Sequence, residues 1–541
     1  MSGPLIVQSD RTVLLETDHP SADVARHELA IFAELERAPE HIHTYRISRL
    51  GLWNARAAGH NAEFIIDSLT KWSKYPLPET VTGEIRRTID RFGKLVIVRD
   101  SAGLLLQSDS LPILTEVTTN PKIAELLEER TDQGFRVRPW ARGQLKQQLL
   151  KLGWPAEDNA GFTPGTPHEI ELNQSNWSLR DYQRLAVEKF AEGGSGVVVL
   201  PCGAGKTLVG AAAMAHFDTN TLILVTNTVA ARQWREELLK RTDLKEEDVA
   251  EYSGASKELA PVTIATYQIL TTKKKGEFAH LALLNARDWG LIIYDEVHLL
   301  PAPIFKMTAD LQARRRLGLT ATLVREDGRE SDVFSLIGPK RFDAPWKDIE
   351  AQGYIAPAKC FEIRVSLPDE DRMKYAISDA DSRFRLAATA NAKLPLLRKL
   401  LDKYPQEPTL IIGQYLDQID EVSEALGLPK LTGQTPVVER EQLFADFRSG
   451  KIRALVVSKV ANFSVDLPEA SLAIQISGSF GSRQEEAQRL GRLLRPKQDG
   501  RTALFYTLIA RDTVEQDFAQ NRQRFLAEQG YSYEIVNAED I

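Results

Sequence analysis

Apolar positions change rhythm along this chain. From about residue 177 to 345, short and mostly apolar runs (Val197–Leu200, Thr221–Val225, Val262–Ala265, Leu291–Tyr294 and Leu317–Thr320) alternate with stretches of helical spacing. Strands apolar on both faces are buried on both, so this alternation predicts a parallel sheet covered on each side by helices. A second set, Thr409–Ile412, Ala454–Val457, Leu472–Ile476 and Ala503–Leu508, predicts a second domain of the same kind. Earlier residues read differently. Asn61 is placed to cap a helix with Phe64, Ile65, Leu69 and Trp72 on one side, and Ile85, Ile89 and Phe92 share a face of the next. Lys94-Leu-Val-Ile-Val98 and Leu104-Leu-Leu106 flank an Asp100-Ser-Ala-Gly103 turn, which predicts a hairpin and a winged-helix-like unit. The expected fold class is α/β: two parallel-sheet domains preceded by an α-rich, winged-helix-like α+β domain. The expected divisions are 1–165, 166–345 and 346–541, with a linker around 155–176 marked by Pro155, Pro164 and Pro167.

Two of the predicted strands end in chemistry. Gly196-Val-Val-Val-Leu200 empties into Pro201-Cys-Gly-Ala-Gly-Lys-Thr207, and 89 residues after Lys206 a second apolar run ends in Asp295-Glu-Val-His298. Gly203, Ala204 and Gly205 let backbone N–H groups wrap phosphates, and Lys206 reaches the outer ones. Thr207 offers a hydroxyl to Mg²⁺ and Asp295 a carboxylate, while Glu296 is placed to orient or deprotonate an attacking water. Leu200 stands where the strict loop pattern has glycine. The pair of motifs predicts binding of a nucleoside triphosphate with Mg²⁺, and its hydrolysis.

Composition narrows this little further. At 541 residues the chain fits about three domains. No apolar run approaches the ~20 residues of a membrane helix, and the first residues lack a basic start with a long apolar stretch. The expectation is a cytoplasmic protein with no membrane contact. Cys202 and Cys360 are the only cysteines, too few for a disulfide scaffold, a four-cysteine zinc site or an iron–sulfur cluster. The net charge of −7 argues against a globally basic nucleic-acid coat, but a motor tracking a strand through a cleft needs only local basic groups. Residues 1–40 are acidic. Arg86, Arg87, Arg91 and Arg99 decorate the winged-helix-like unit, and Arg136, Arg138, Arg142 and Lys146 form a second basic stretch with Trp140 and Trp154. Either set can face solvent, meet a partner or contact phosphates.

The remaining motifs fall in the order seen in superfamily-two helicases. Leu179-Arg-Asp-Tyr-Gln183 resembles the adenine-reading glutamine motif, which implies nucleotide contacts from Arg180 and Gln183. Gly318-Leu-Thr-Ala-Thr322 resembles motif three, which implies that Thr320, Ala321 and Thr322 couple nucleotide to strand. Gln488-Arg-Leu-Gly-Arg-Leu-Leu-Arg495 resembles motif six, whose Arg492 and Arg495 would be arginine fingers. Within that superfamily the chain is similar to XPB-type helicases, through Asp295-Glu-Val-His298 with Leu-Leu-Pro-Ala-Pro-Ile-Phe305 and above all Arg325-Glu326-Asp327. Ser458-Lys459, Val465-Asp-Leu-Pro-Glu-Ala470 and Gly481-Ser-Arg-Gln-Glu-Glu-Ala-Gln-Arg489 agree, as does the N-terminal stretch Pro4-Leu-Ile-Val-Gln-Ser-Asp10.

That resemblance implies two RecA-like motor domains. It also implies an ATP-driven DNA helicase or translocase of 3′-to-5′ polarity, nucleoid-associated, acting on single-stranded or tailed duplex DNA in repair of the nucleotide-excision kind. Arg325, Glu326 and Asp327 would serve unwinding. Two features depart from the family pattern. The thumb-like insertion, roughly 366–390, is short, with Arg372, Lys374, Tyr375, Arg383, Phe384 and Arg385 set among acidic residues. Ala461-Asn462-Phe463 replaces the usual glycine and acid of motif five, although Asp466, the ribose-side or coupling carboxylate, is retained. Two other readings stay open: a duplex translocase that never separates strands, and a nucleotide-switched scaffold whose N-terminal domain recruits a nuclease or repair factor.

Overall fold

The structure, a computed structural model, describes residues 3–541 except 39–40, 202, 255–256, 275–276, 279, 281–282, 285, 302–303, 305–307, 309–310, 322–329, 345–348, 350–357, 459–469, 479–501 and 529–532. The first large sheet contains β1 (Ser195–Val199), β2 (Thr221–Val225), β3 (Val249–Tyr252), β4 (Val262–Thr266), β5 (Leu291–Asp295), β6 (Arg315–Thr320) and β7 (Lys340–Asp343) in the order 3-4-2-5-6-1-7. Every neighbouring pair is parallel. Alternate residues serve opposite faces. Val198, Ile223, Val225 and Ile293 join one core, and Val197, Val199, Leu222, Leu224 and Ile292 join another. Helix α1 (Asp181–Gly193) leads into β1, and α2 (Lys206–Phe217) and α3 (Thr228–Arg241) connect the strands that follow.

The second sheet contains β8 (Ala358–Val365), β9 (Thr409–Gly413), β10 (Lys430–Leu431), β11 (Ala454–Ser458), β12 (Leu472–Gln475), β13 (Ala503–Ala510) and β14 (Tyr533–Asn537). Its order is 10-11-9-12-13-8-14, again wholly parallel. Counted from its own first strand, this is the order of the first sheet. All nine strands expected from the apolar runs are present. Those not expected are mostly at sheet edges, but β8 is central. Its charged Glu362 is buried and satisfied by Arg364 Nε at 3.0 Å and Gln523 Nε2 at 2.9 Å, so pairing lets a charge-bearing segment enter a core.

The N-terminal region holds more β than its pattern predicts: a four-stranded antiparallel sheet and a five-stranded mixed one. The expected helices are there as Ala62–Trp72 and Glu79–Arg91, and Asn61 Oδ1 accepts the Phe64 N–H at 2.8 Å. The hairpin is Leu95–Asp100 with Gly103–Gln107. The expected linker is not loose. Ala156–Asp158 pairs with the hairpin, and the following residues lie bonded along the amino-terminal edge of the first sheet. Thr163, Thr166, His168 and Asn173 donate their N–H groups to the carbonyls of Ala313, Asp288, Asp218 and Arg241 at 2.8–2.9 Å. Among the described residues no helix is long and apolar enough to cross a membrane.

Candidate nucleotide site

The carboxyl ends of parallel strands open a crevice where ligands bind, and there β1 delivers the glycine loop. Gly203 and Gly205 take φ +82° and +81°, left-handed conformations that favour glycine. Gly205 caps α2, so the first-turn N–H groups and the helix dipole face the loop mouth. The loop is held from behind by α1. Tyr182 Oη and Gln183 Nε2 donate to the Ala204 carbonyl at 2.7 and 2.8 Å, and Gln183 Oε1 accepts the Arg180 N–H at 3.0 Å. Gln183 therefore links Arg180 to the glycine loop through both ends of its amide. Arg180 Nη1 in turn reaches Tyr182 Oη at 3.1 Å.

β5 delivers the carboxylates beside this loop. Glu296 has φ +49°, costly for a residue with a side chain, and the turn sends consecutive carboxylates into one buried space. Lys206 Nζ lies 3.3 Å from Glu296 Oε1, and His298 Nδ1 lies 3.5 Å from Glu296 Oε2. The His298 nitrogen makes its short contact, 2.7 Å, with Thr320 Oγ1 at the end of β6. Glu296 Oε2 is buried with no hydrogen-bond partner. Asp295 is gripped at three atoms. Trp234 Nε1 donates to Oδ2 at 2.9 Å, the Glu296 N–H to Oδ1 at 3.1 Å, and Tyr267 Oη to the backbone carbonyl at 2.7 Å.

Electrostatics follow from this crowding. Burial, with the charge of Glu296 added, pushes the Asp295 carboxyl up to about 6 against the pull of Trp234 and Lys206. Burial opposes ionisation of Glu296 too, but Lys206 and His298 outweigh it and hold that carboxyl below its ordinary value. Lys206, Asp295 and Glu296 together carry one net negative charge in a desolvated place. A dication arriving with a triphosphate fits such a set, since Mg²⁺ is commonly held by one or two carboxylates plus substrate phosphates. The unpartnered Oε2 of Glu296 is an acceptor suited to a water proton.

Of the residues expected to act, the structure brings together Arg180, Gln183, Gly203, Ala204, Gly205, Lys206, Thr207, Asp295, Glu296, Thr320 and Ala321 around the ends of β1, β5 and β6. Thr322, Arg325, Glu326, Asp327, Asp466, Arg492 and Arg495 lie outside the described residues. Sequence reasoning missed Tyr182, Trp234 and Tyr267. The one available signal was Trp234, the lone aromatic in a helix that is otherwise largely polar.

The expected nucleic-acid surfaces are largely spoken for. Arg136 is bidentate to Asp100 at 2.7 and 2.8 Å, Arg142 and Lys146 share Asp158 at 2.9 Å, and Arg86 pairs with Glu63 at 2.9 Å. Trp154 donates to Glu116 and lies beneath Arg91. Arg87, Arg99 and Trp140 are exposed. In the thumb-like segment Arg372 and Lys374 pair with acids of their own helix, Asp369–Ile377. Arg383 caps the carbonyls of Tyr375 and Ala376, and Arg385 pairs with Asp417.

Comparison with known proteins completes the picture. A family profile described as ERCC3/RAD25/XPB C-terminal helicase matches residues 349–540. Profiles described as the res subunit of type III restriction enzymes and as a helicase conserved C-terminal domain match 176–325 and 5–132. The chain is 63% identical to the DNA 3′-5′ helicase XPB of Kineococcus radiotolerans, covering 100% of this chain and 97% of that protein. It is 61% identical to the protein of the same name in Mycobacterium tuberculosis, covering 100% and 98%. The general transcription and DNA repair factor IIH helicase/translocase subunit XPB of Antonospora locustae is 33% identical, over 99% of this chain and 82% of its own length.

Proposed function

The chain belongs to the XPB family of DNA 3′-5′ helicases, and from that premise we propose that it couples ATP hydrolysis to 3′-to-5′ movement along DNA in repair. The carrying observation is the buried Lys206–Glu296–His298–Thr320 chain, whose Glu296 retains an open oxygen. Lys206 and the loop N–H groups bind the phosphates, with Arg180 and Gln183 on the base side. Asp295 and Thr207 would hold Mg²⁺, which supplies charge neutralisation of the phosphates when bound. Glu296 Oε2 takes the water proton as the new P–O bond forms and the bond to the β-phosphate oxygen breaks. Domain closure brings Arg492 and Arg495 to the γ-phosphate, a contribution of ~10³–10⁵ in rate. His298 passes the state of Glu296 to Thr320, and thence to Ala321, Thr322 and the Arg325-Glu326-Asp327 segment that serves unwinding. Asp466 completes the coupling from the second domain.

The protein acts on nucleoid DNA, and its N-terminal domain recruits a repair nuclease. The internally paired thumb favours help from such a partner in gripping the strand. The test is steady-state ATPase with no nucleic acid, single-stranded DNA, blunt duplex, 3′-tailed duplex and RNA, with Lys206→Ala as control. Stimulation by tailed DNA with strand displacement is the expected result. Stimulation by blunt duplex alone would replace it with a duplex translocase, and a rate indifferent to every nucleic acid would replace it with the nucleotide-switched scaffold.

A further inference from the structure

Trp234 lies in α3, which starts at the Asn227 cap just beyond the end of β2, on the same sheet edge as the phosphate loop and Asp295. Its side chain is turned inward and is 2% exposed. Two contacts define its place. The indole Nε1–H donates to Asp295 Oδ2 at 2.9 Å. The far edge of the ring lies on Gly210 of α2, where a Cβ would stand 2.4 Å from Cη2 and 2.9 Å from Cζ3. Glycine inside a helix costs about 1 kcal/mol relative to alanine, so the helix behind the phosphate loop gives up stability where the indole needs the space. One rigid ring therefore touches the structural elements of both nucleotide motifs.

Asp295 depends on that ring for its orientation. Its Oδ1 takes the Glu296 N–H, and its Oδ2 takes the indole. With both oxygens engaged the carboxylate cannot rotate about its last bond, and each oxygen keeps a lone pair for a further ligand. A hydrogen bond tolerates only a few tenths of an ångström, so a shift of α3 relative to β5 would release the carboxylate. We propose that Trp234 is a positioning residue for Asp295, setting how tightly the metal of a bound triphosphate is held. The proposal rests on the reading that Asp295 is a metal ligand.

Trp234→Phe keeps an aromatic ring in the pocket, though one too short to reach Gly210, and removes the donor. The experiment measures Mn²⁺ affinity by electron paramagnetic resonance with a non-hydrolysable ATP analogue. Nucleotide affinity without metal, melting temperature without either ligand, and the indole N–H resonance missing from the variant are measured alongside. The expected result is a fall in Mn²⁺ affinity of about tenfold, the low end for losing a partner of a ligand. Metal-free nucleotide affinity should be almost unchanged, melting should fall modestly through the lost packing, and the Trp234 N–H resonance of the parent should move on adding metal with analogue. Unchanged Mn²⁺ affinity, or equal losses of metal-bound and metal-free nucleotide affinity, would overturn the proposal. Asp295→Asn separates the premise. If it leaves Mn²⁺ affinity intact, the metal reading itself is wrong. If it removes that affinity while Trp234→Phe does not lower it, only the positioning role is lost.

Discussion

In the first parallel sheet Lys206 approaches Glu296 at 3.3 Å, and the second glutamate oxygen has no hydrogen-bond donor. In the second, identically ordered sheet, Lys393 Nζ has four acceptors within 3.0 Å: both oxygens of Glu515 and the carbonyls of Ala388 and Ile476. Glu515 also accepts the Ala510 N–H at 2.8 Å. Both pairs are largely removed from water, with side chains 12% and 15% exposed in the first and 2% and 5% in the second, a difference that does not by itself explain their roles. Saturation does. A buried pair with all its capacity used fastens helix to strand, whereas one with capacity left over has room for a substrate.

Substitutions can break that distinction. The largest expected effect is Lys206→Ala, which should lower DNA-stimulated ATP turnover by about 10³-fold or more while lowering the melting temperature less than the Lys393 change below, since this pair is the more exposed of the two. A collapse in melting would make this pair structural too. Lys393→Met should do the reverse, costing about 3–5 kcal/mol in chemical denaturation because Glu515 is left as a buried unpaired charge. Near-parental stability would remove the structural role of that pair.

His43 tests whether incomplete satisfaction alone marks function, because its buried Nδ1 has no partner and it lies far along the chain from the nucleotide motifs. Burial, with Arg26 nearby, pulls the imidazole down to about 4 from 6.5. Between those values the unfolded chain binds the additional proton, so stability falls as pH drops through that window, by about 1.4 kcal/mol at pH 5.5. His43→Phe should flatten that acid slope in denaturation and leave turnover at pH 7 untouched. A loss of turnover would tie His43 to the motor. The smallest effect, about 1 kcal/mol or less in stability, belongs to Thr320→Val, which deletes the 2.7 Å contact with His298. It should lower strand displacement more than ATP turnover, and equal losses would mean that Thr320 does not couple the two.

The parallel sheets were legible because their strands are apolar on both faces, a pattern that survives without knowledge of neighbours. β8 was not, since its Glu362 reads as surface until Arg364 and Gln523 are seen beside it. That the glycine loop and Asp295-Glu296 lie together at strand ends was legible from residue type and spacing, because glycine, lysine and paired carboxylates mark such turns locally. Trp234, Tyr182 and Tyr267 act through single long-range hydrogen bonds, and nothing in their immediate sequence announces the partner. The pairing within the basic stretch 136–146 was hidden for the opposite reason. Its cations read as a free basic face, but Arg136 is paired with Asp100 and Arg142 and Lys146 share Asp158 within the fold, so only part of that charge faces outward.

The segment after Asp158 bears on how the protein can be taken apart. A proline-marked stretch between domains invites a cut, and residues 155–176 look suited to one. Yet its backbone donors at Thr163, Thr166, His168 and Asn173 seal the underside of the first sheet, so a fragment beginning at Trp177 would lose a hem that the sheet wears as its own. A self-standing motor has to begin upstream of that hem. A protease nicking within it should leave two pieces that still travel together, because the cut ends remain sewn to the sheet.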